Sequence, residues 1–312
     1  MLVTEFTPRY CAGWSQPFKL SDMSSDKITP DTWYTEIYPE GGSALSLHFR
    51  QKLHDEQTPY QRLEIYETES FGRLMTLDGL VMLTGRDNFI YHEMMTHPVL
   101  FTHPQPKRVL IIGGGDCGCL LETLKHDTVE TAELVELDER VTRVSEQFFP
   151  ELCTSNNDPR ARLHFVDGIQ WIADAADGSY DVIVIDSTDP VGPATGLFTE
   201  DFYRQCRRAL AADGVLAAQS ESPLFHSDII KGMRAAMGAA GFPHVATLHY
   251  PQCTYPSGWW STTVASKAVP LNEFRRFDPS GLPFATQYYD SGVHAGALSL
   301  PPFLRRHVEN EA

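Results

Sequence analysis

Apolar and polar positions change period twice along this chain, and the changes mark three stretches. Residues 1–30 carry Pro8, Pro17, Ser21, Ser24, Ser25 and Pro30 with no periodicity, which predicts a loose N-terminal extension over 1–32. From Ala44 to about Thr84 the period is two. Leu45, Leu47 and Phe49 alternate, and Leu63, Ile65 and Tyr66 follow. Phe71-Gly72-Arg73-Leu74 and Asp78-Gly79-Leu80-Val81 then read as turn-punctuated hairpins, so a small antiparallel β domain is predicted over 33–90. A helical stretch from Tyr91 to Leu100 stops before His103-Pro104. Beyond it, short apolar runs lie at Val109–Ile112, Ala132–Glu136, Leu163–Val166, Val182–Ile185 and Val215–Gln219. Each precedes a helix-like segment, such as Glu139–Phe149 with Val141, Val144 and Phe148 on one face. This alternation predicts an α/β fold over 91–312 with a mostly parallel, doubly wound sheet. Ligands of such sheets bind beyond the carboxyl ends of the strands, so candidate chemistry is sought there.

Composition narrows the classes. A hydrophobic content of 42% in 312 residues supports a substantial core and excludes a disordered chain. The formal net charge of −16 argues against a nucleic-acid partner, which would need a basic face. Cys11, Cys117, Cys119, Cys153, Cys206 and Cys253 include no CxxC pair, so reduced thiols are expected rather than a zinc cage or disulfide framework. No signal peptide and no apolar run of membrane-spanning length is visible, which predicts a cytoplasmic protein without a membrane partner.

The first strand of the alternating region opens into Gly113-Gly114-Gly115-Asp116-Cys117-Gly118, a G-x-G-x-x-G match with a strand before it and a helix after it. Glu136 ends the second strand about 20 residues on, where a carboxylate can take both ribose hydroxyls. A glycine turn and a surface acid would give the same letters; their shared register favours a nucleoside site. Asp116 is informative, because a carboxylate inside the loop repels a pyrophosphate or the carboxylate of S-adenosylmethionine. A donor cationic at both sulfonium and amine suits it, although Asp116 as a cap of the next helix remains open. Asp167-Gly168 ends the third strand and is either a turn or an acceptor for an adenine amino group.

The fourth strand delivers Asp186-Ser187-Thr188-Asp189-Pro190-Val191-Gly192-Pro193 to the same edge. Loop-forming residues alone would explain these letters, but an apolar strand carrying an acid to the ligand edge is the usual setting of a catalytic carboxylate. Here the chain closely resembles the spermidine synthase family. The resemblance is carried by Gly113-Gly114-Gly115-Asp116, Val135-Glu136-Leu137-Asp138, Asp167-Gly168, the Asp186–Pro193 segment and Tyr255-Pro256-Ser257-Gly258. Tyr60-Gln61, Leu77-Asp78-Gly79, Asp87–Met94, Tyr288–Ser291 and Leu300–Phe303 extend it from about Trp33 to the C-terminus.

The resemblance implies a methyltransferase-like Rossmann domain behind a small β domain, assembled as a homodimer or homotetramer. It implies a polyamine aminopropyltransferase with decarboxylated S-adenosylmethionine as co-substrate and no prosthetic group. Putrescine is the default acceptor, giving spermidine and methylthioadenosine; cadaverine, agmatine and spermidine are alternatives. By the same resemblance Asp186 accepts the proton, Asp189 holds the polyamine, and Tyr91 and Tyr255 position the attacking nitrogen. Gln61, Gly113, Gly115, Glu136, Asp167, Gly168 and Pro193 would bind the donor nucleoside, while His92 and Asp116 would contact an amine.

His92-Glu93-Met94-Met95-Thr96-His97 looks like a zinc helix, but the second histidine falls one residue late, so no metal is expected and His97 reads as packing. Cys117 stands where many relatives carry glycine. One of Trp259 and Trp260 is expected to pack in the core. The rival readings are a methyltransferase on the same fold, an NAD-linked oxidoreductase and a catalytically silent polyamine-binding protein.

Overall fold

Among the described residues five strands come first: β1 (Trp33–Tyr38), β2 (Ser43–Gln57), β3 (Arg62–Thr68), β4 (Arg73–Leu77) and β5 (Leu80–Thr84). They form one antiparallel sheet in chain order. The computed structural model describes residues 28–39, 41–189, 192–272 and 281–309, without the side chains of 192–194. Most of the extension expected over 1–32 therefore lies outside the described residues. Leu77 pairs with Leu80 across a two-residue turn in which Asp78 and Gly79 take φ of 51° and 80°. Positive φ at both positions matches the twist of a hairpin, which is why Asp-Gly stands there. Period-two alternation gives this sheet two apolar faces. Leu63, Ile65, Met75 and Leu83 pack on Val141, Val144 and Phe149, whereas Tyr34, Leu47, Tyr66 and Leu74 pack beside Tyr255.

Helix α1 (Asn88–Thr102) starts three residues before and ends two residues after the predicted span. The alternation then runs β6 (Arg108–Gly113), α2 (Gly118–Leu124), β7 (Thr131–Glu136), α3 (Glu139–Phe148), β8 (Ala161–Phe165), α4 (Gly168–Asp174) and β9 (Tyr180–Asp186). It continues through α5 (Glu200–Ala209), β10 (Leu210–Gln219), α6 (Ser227–Ala239), β11 (His244–Pro251), β12 (Trp259–Ser266), α7 (Ser291–Leu298) and α8 (Pro302–Val308). The seven strands stand in the order β11-β12-β10-β9-β6-β7-β8. From β8 to β10 they are parallel, while β12 runs antiparallel to β10 and to β11. The hairpin of β11 and β12 escaped the periodicity reading because hydroxyl residues interrupt its apolar pattern. Buried Thr247 bonds Thr263 (3.1 Å) and Tyr250 bonds Thr262 (3.1 Å), so those polar groups satisfy one another across the strands. Strand β8 stops at Phe165, leaving Val166 exposed rather than in the sheet.

Buried Glu93 on α1 ties the C-terminal segment to the core, accepting hydrogen bonds from the backbone N–H groups of Gln287 (2.8 Å), Tyr288 (2.9 Å) and Tyr289 (2.7 Å). Three bonds to one carboxylate are costly to remove, since the donors stay without partners. Glu93→Ala is expected to destabilise the protein by roughly 3 kcal/mol, read from denaturant unfolding of the full chain. A loss below about 1 kcal/mol would show that the segment holds without it.

Candidate active site

Strand β6 has β7 on one side and β9 on the other, so the chain leaves the sheet in opposite directions at the β6 end. Such a switch point leaves a crevice. A cavity of about 410 Å³ opens there, walled by the Gly113–Asp116 loop, the ends of β7 and β9, Gly168 and, from the β domain, Gln61 and Met82. Register explains the loop glycines. Gly113 pairs with Asp186, and a Cβ on Gly113 would lie 2.1 Å from the Asp186 carbonyl oxygen. A Cβ on Gly118 would lie 2.1 Å from Cε1 of His92, so this glycine admits the α1 histidine against the start of α2.

Asp186 ends β9 at the cavity. Its Oδ1 accepts a hydrogen bond from the Tyr91 hydroxyl (2.6 Å), its Oδ2 is buried, and the Cys119 thiol also interacts with the carboxylate. Burial, with the charge of Asp116 adding to it, holds the Asp186 carboxyl above the usual range. Asp116 does two things at once. Its Oδ1 accepts from the Gly118 N–H (2.7 Å), while its Oδ2 meets His92 Nε2 (3.1 Å) and the residue also lines the cavity. Burial disfavours its charge, but the His92 charge and both hydrogen bonds outweigh that and hold it below the usual range. Burial likewise disfavours charged His92, yet Asp116 raises its proton affinity overall. Helix capping and cavity lining, the two readings of Asp116, are thus compatible. His92 stands behind Asp116, buried, and is not part of the cavity wall.

Tyr255 sits between β11 and β12 and lines the cavity. Its hydroxyl donates to the Met82 carbonyl, and its ring lies edge-on to Tyr91 (5.8 Å) and Trp260 (4.8 Å). Trp260 is the buried tryptophan; half-buried Trp259 donates to His249 Nδ1 (3.0 Å).

At the opposite end, Glu136 Oε1 accepts from the Asp138 N–H (2.8 Å), and burial pushes its carboxyl up to about 7. Asp138, which sequence reasoning quoted but gave no role, joins the two sheets. Its Oδ2 accepts from Thr58 Oγ1 (2.7 Å) and Gln61 Nε2 (3.1 Å), and its Oδ1 caps α3 through the Arg140 N–H (3.0 Å). Gln61 is thereby held at the cavity wall. Asp167 is exposed and caps α4 through the Ile169 N–H (2.8 Å); Gly168, not Asp167, forms the wall. Pro193 lies outside the described side chains.

A smaller pocket adjoins the cavity past Ser187, Thr188 and Tyr255, and contains Asp189, Glu36 and Gln219. Burial, then the neighbouring Glu221 and Glu36, push Asp189 up to about 8. Glu36 is also raised by burial, although it accepts the Val81 N–H (2.7 Å). Glu221 is buried, takes φ of 70°, and bonds His226 Nδ1 (2.9 Å). Sequence reasoning missed Glu36, Gln219 and Glu221. The strand-end rule applied to β10 would have found Gln219 and Glu221, whereas Glu36 looks like an ordinary strand acid. His97 is buried against His126 (3.1 Å) and Glu122 (3.1 Å), and no group of three metal-ligating side chains occurs among the described residues.

A doubly wound sheet with a glycine loop, an acid at the next strand end and a run of carboxylates at its switch point defines an enzyme of the Rossmann class. Comparison with known proteins gives the family. The sequence model of the spermine/spermidine synthase domain matches residues 88–276, and that of the spermidine synthase tetramerisation domain matches residues 32–85. The polyamine aminopropyltransferase of Nitrosococcus oceani is 58% identical over 284 residues, covering 91% of this chain and 99% of that protein. That of Methylococcus capsulatus is 60% identical over 271 residues, covering 87% and 95%. A spermidine synthase solved in complex with the transition state analogue AdoDATO superposes with a TM-score of 0.86 at 36% identity, covering 91% and 97%. The spermidine synthase of Thermotoga maritima gives 0.84 at 35%, covering 94% and 100%. The chain belongs to the spermine/spermidine synthase family and is an enzyme of polyamine aminopropyl transfer. Among the described residues no helix is long and apolar enough to cross a membrane.

Proposed function

We propose that the enzyme transfers the aminopropyl group of decarboxylated S-adenosylmethionine to putrescine, giving spermidine and methylthioadenosine. The observation that carries this reading is Asp186. One oxygen is fixed by Tyr91, and the residue lines a nucleoside-sized cavity that adjoins a second acidic pocket. The complex of the similar spermidine synthase with AdoDATO supports a donor of this kind in the larger cavity. Gln61, Gly113, Gly115, Glu136 and Gly168, all in the cavity wall, hold the nucleoside. Asp116, charged and paired with His92, faces the aminopropyl ammonium. Asp189, backed by Glu36 and Glu221, receives the distal ammonium of the acceptor; a cation offsets the burial, and then the repulsion from Glu221 and Glu36, that push Asp189 up to about 8.

The acceptor amine must lose a proton to react. For an alkylamine with a pKa of about 10.4, deprotonation at about pH 7 costs roughly 4–5 kcal/mol. The nitrogen becomes acidic as its bond to the donor carbon forms, and the raised proton affinity of Asp186 suits it to take that proton. Nitrogen attacks the carbon bonded to the sulfonium, that C–S bond breaks, and sulfur leaves neutral. Tyr91 fixes the accepting carboxylate, and Tyr255 packs edge-on to Tyr91 and closes the wall. Residues 32–85 match a tetramerisation domain, which supports a homo-oligomer.

The test is a product assay by mass spectrometry with putrescine, cadaverine, agmatine and spermidine as acceptors. Spermidine and methylthioadenosine from putrescine, at the highest kcat/KM of the four, are expected. A higher kcat/KM with another amine would move the acceptor assignment. Formation of S-adenosylhomocysteine from S-adenosylmethionine would replace aminopropyl transfer by methyl transfer.

A further inference from the structure

The mechanism uses none of the cysteines, yet two of them touch the nucleoside loop. Cys117 lies within the loop at φ 70°, a left-handed conformation that favours glycine, and its side chain is fully buried. Its thiol donates to the Gly115 carbonyl (3.6 Å). Cys153, in the turn after α3, donates to the next carbonyl along the same loop, that of Asp116 (3.7 Å). Two thiols donating to consecutive carbonyls of one loop are near neighbours, and the Cys117 thiol feels the Cys153 thiol electrostatically. Gly115 and Asp116, whose carbonyls Cys117 and Cys153 respectively hold, line the cavity.

We propose that Cys117 and Cys153 form an oxidation-sensitive pair whose disulfide disables the nucleoside loop. This goes beyond the transfer reaction and rests on that reading only in using the loop as a nucleoside site. Cys153, 8% exposed, is the accessible member. The neighbouring Cys153 thiol and burial push the Cys117 thiol far above its ordinary value, so Cys117 resolves rather than initiates. Hydrogen peroxide oxidises Cys153 to the sulfenic acid and is reduced to water. The Cys117 sulfur then displaces hydroxide from the sulfenic sulfur, and the thiol proton leaves with it as a second water. Two electrons pass from the sulfur pair to the peroxide.

Forming the bond draws the sulfurs from non-bonded contact to about 2.05 Å and removes both S–H donors. The carbonyls of Gly115 and Asp116 lose those partners, and the loop lies tightly against Glu136, so a pull on it shifts the cavity wall. A Cβ at Gly115 would already stand 2.9 Å from Glu136 Oε2. The expected consequence is weaker nucleoside binding.

The experiment treats the full chain with hydrogen peroxide without denaturant, maps the Cys117–Cys153 linkage by peptide mass spectrometry, and titrates methylthioadenosine before and after. The linkage is expected to form, affinity to fall by about tenfold or more, and dithiothreitol to restore it. Cys153→Ser, outside the cavity, is expected to keep its affinity under the same treatment. That variant retains exposed Cys253, so a loss persisting in it assigns the effect to another thiol and overturns the proposal. Absence of the linkage, or a linkage with unchanged affinity, also overturns it. If the reduced protein does not bind methylthioadenosine, the nucleoside reading fails instead, and the linkage map still decides whether the pair forms.

Discussion

Asp186→Asn is expected to lower kcat by about 10³-fold while methylthioadenosine affinity changes by no more than about threefold. The substitution keeps shape and an oxygen that Tyr91 can bond, but removes the proton-accepting carboxylate of a residue that lines the cavity. Only a group used in the transition state separates kcat from binding in this way. The pH profile adds a second reading. Burial and Asp116 raise the proton affinity of Asp186, so in the native enzyme kcat falls on acidification earlier than an ordinary carboxylate would allow. The asparagine variant should lose that limb. Retention of more than about a tenth of the native kcat would remove Asp186 from the proton-accepting role.

Glu136→Ala is expected to act on binding instead, weakening methylthioadenosine by about 100-fold. Two ribose hydroxyls donating to one buried carboxylate are worth more than neutral hydrogen bonds, and alanine also leaves the Asp138 N–H without its acceptor. Burial sets Glu136 at about 7. Ribose hydroxyls favour the carboxylate form, so binding lowers that value and releases a proton in the window below it. Native affinity should therefore rise with pH up to about 7 and level above it. Titration calorimetry at about pH 6 and about pH 8 checks this, and Glu136→Gln should abolish the difference. Equal affinity of the alanine variant and the native protein would sink the ribose contact.

The alternation of apolar runs with helical segments was enough to place five of the seven strands of the large sheet. Strand ends then located Gly113, Glu136 and Asp186, because a parallel strand necessarily delivers its last residue to the ligand edge, while Gly168 opens α4 three residues after β8 stops. Strands β11 and β12 were missed because buried threonines pair across them, and a polar residue satisfied by a distant partner breaks the local pattern. His92 was legible as a motif residue but not as a buried partner of Asp116. Its position depends on a helix packing over Gly118, 26 residues further along the chain.

The order of elements, the glycine turn after β6 and the acids at strand ends follow from local backbone geometry and are legible in the letters alone. Which acids share a pocket, and in what charge state, is set by packing between distant segments. Glu36, Asp189 and Glu221 come from a β-domain strand and two segments of the large sheet, and meet only when the two sheets pack. Proton affinity depends on burial and on distances of a few ångströms, and neither is a property of neighbours along the chain.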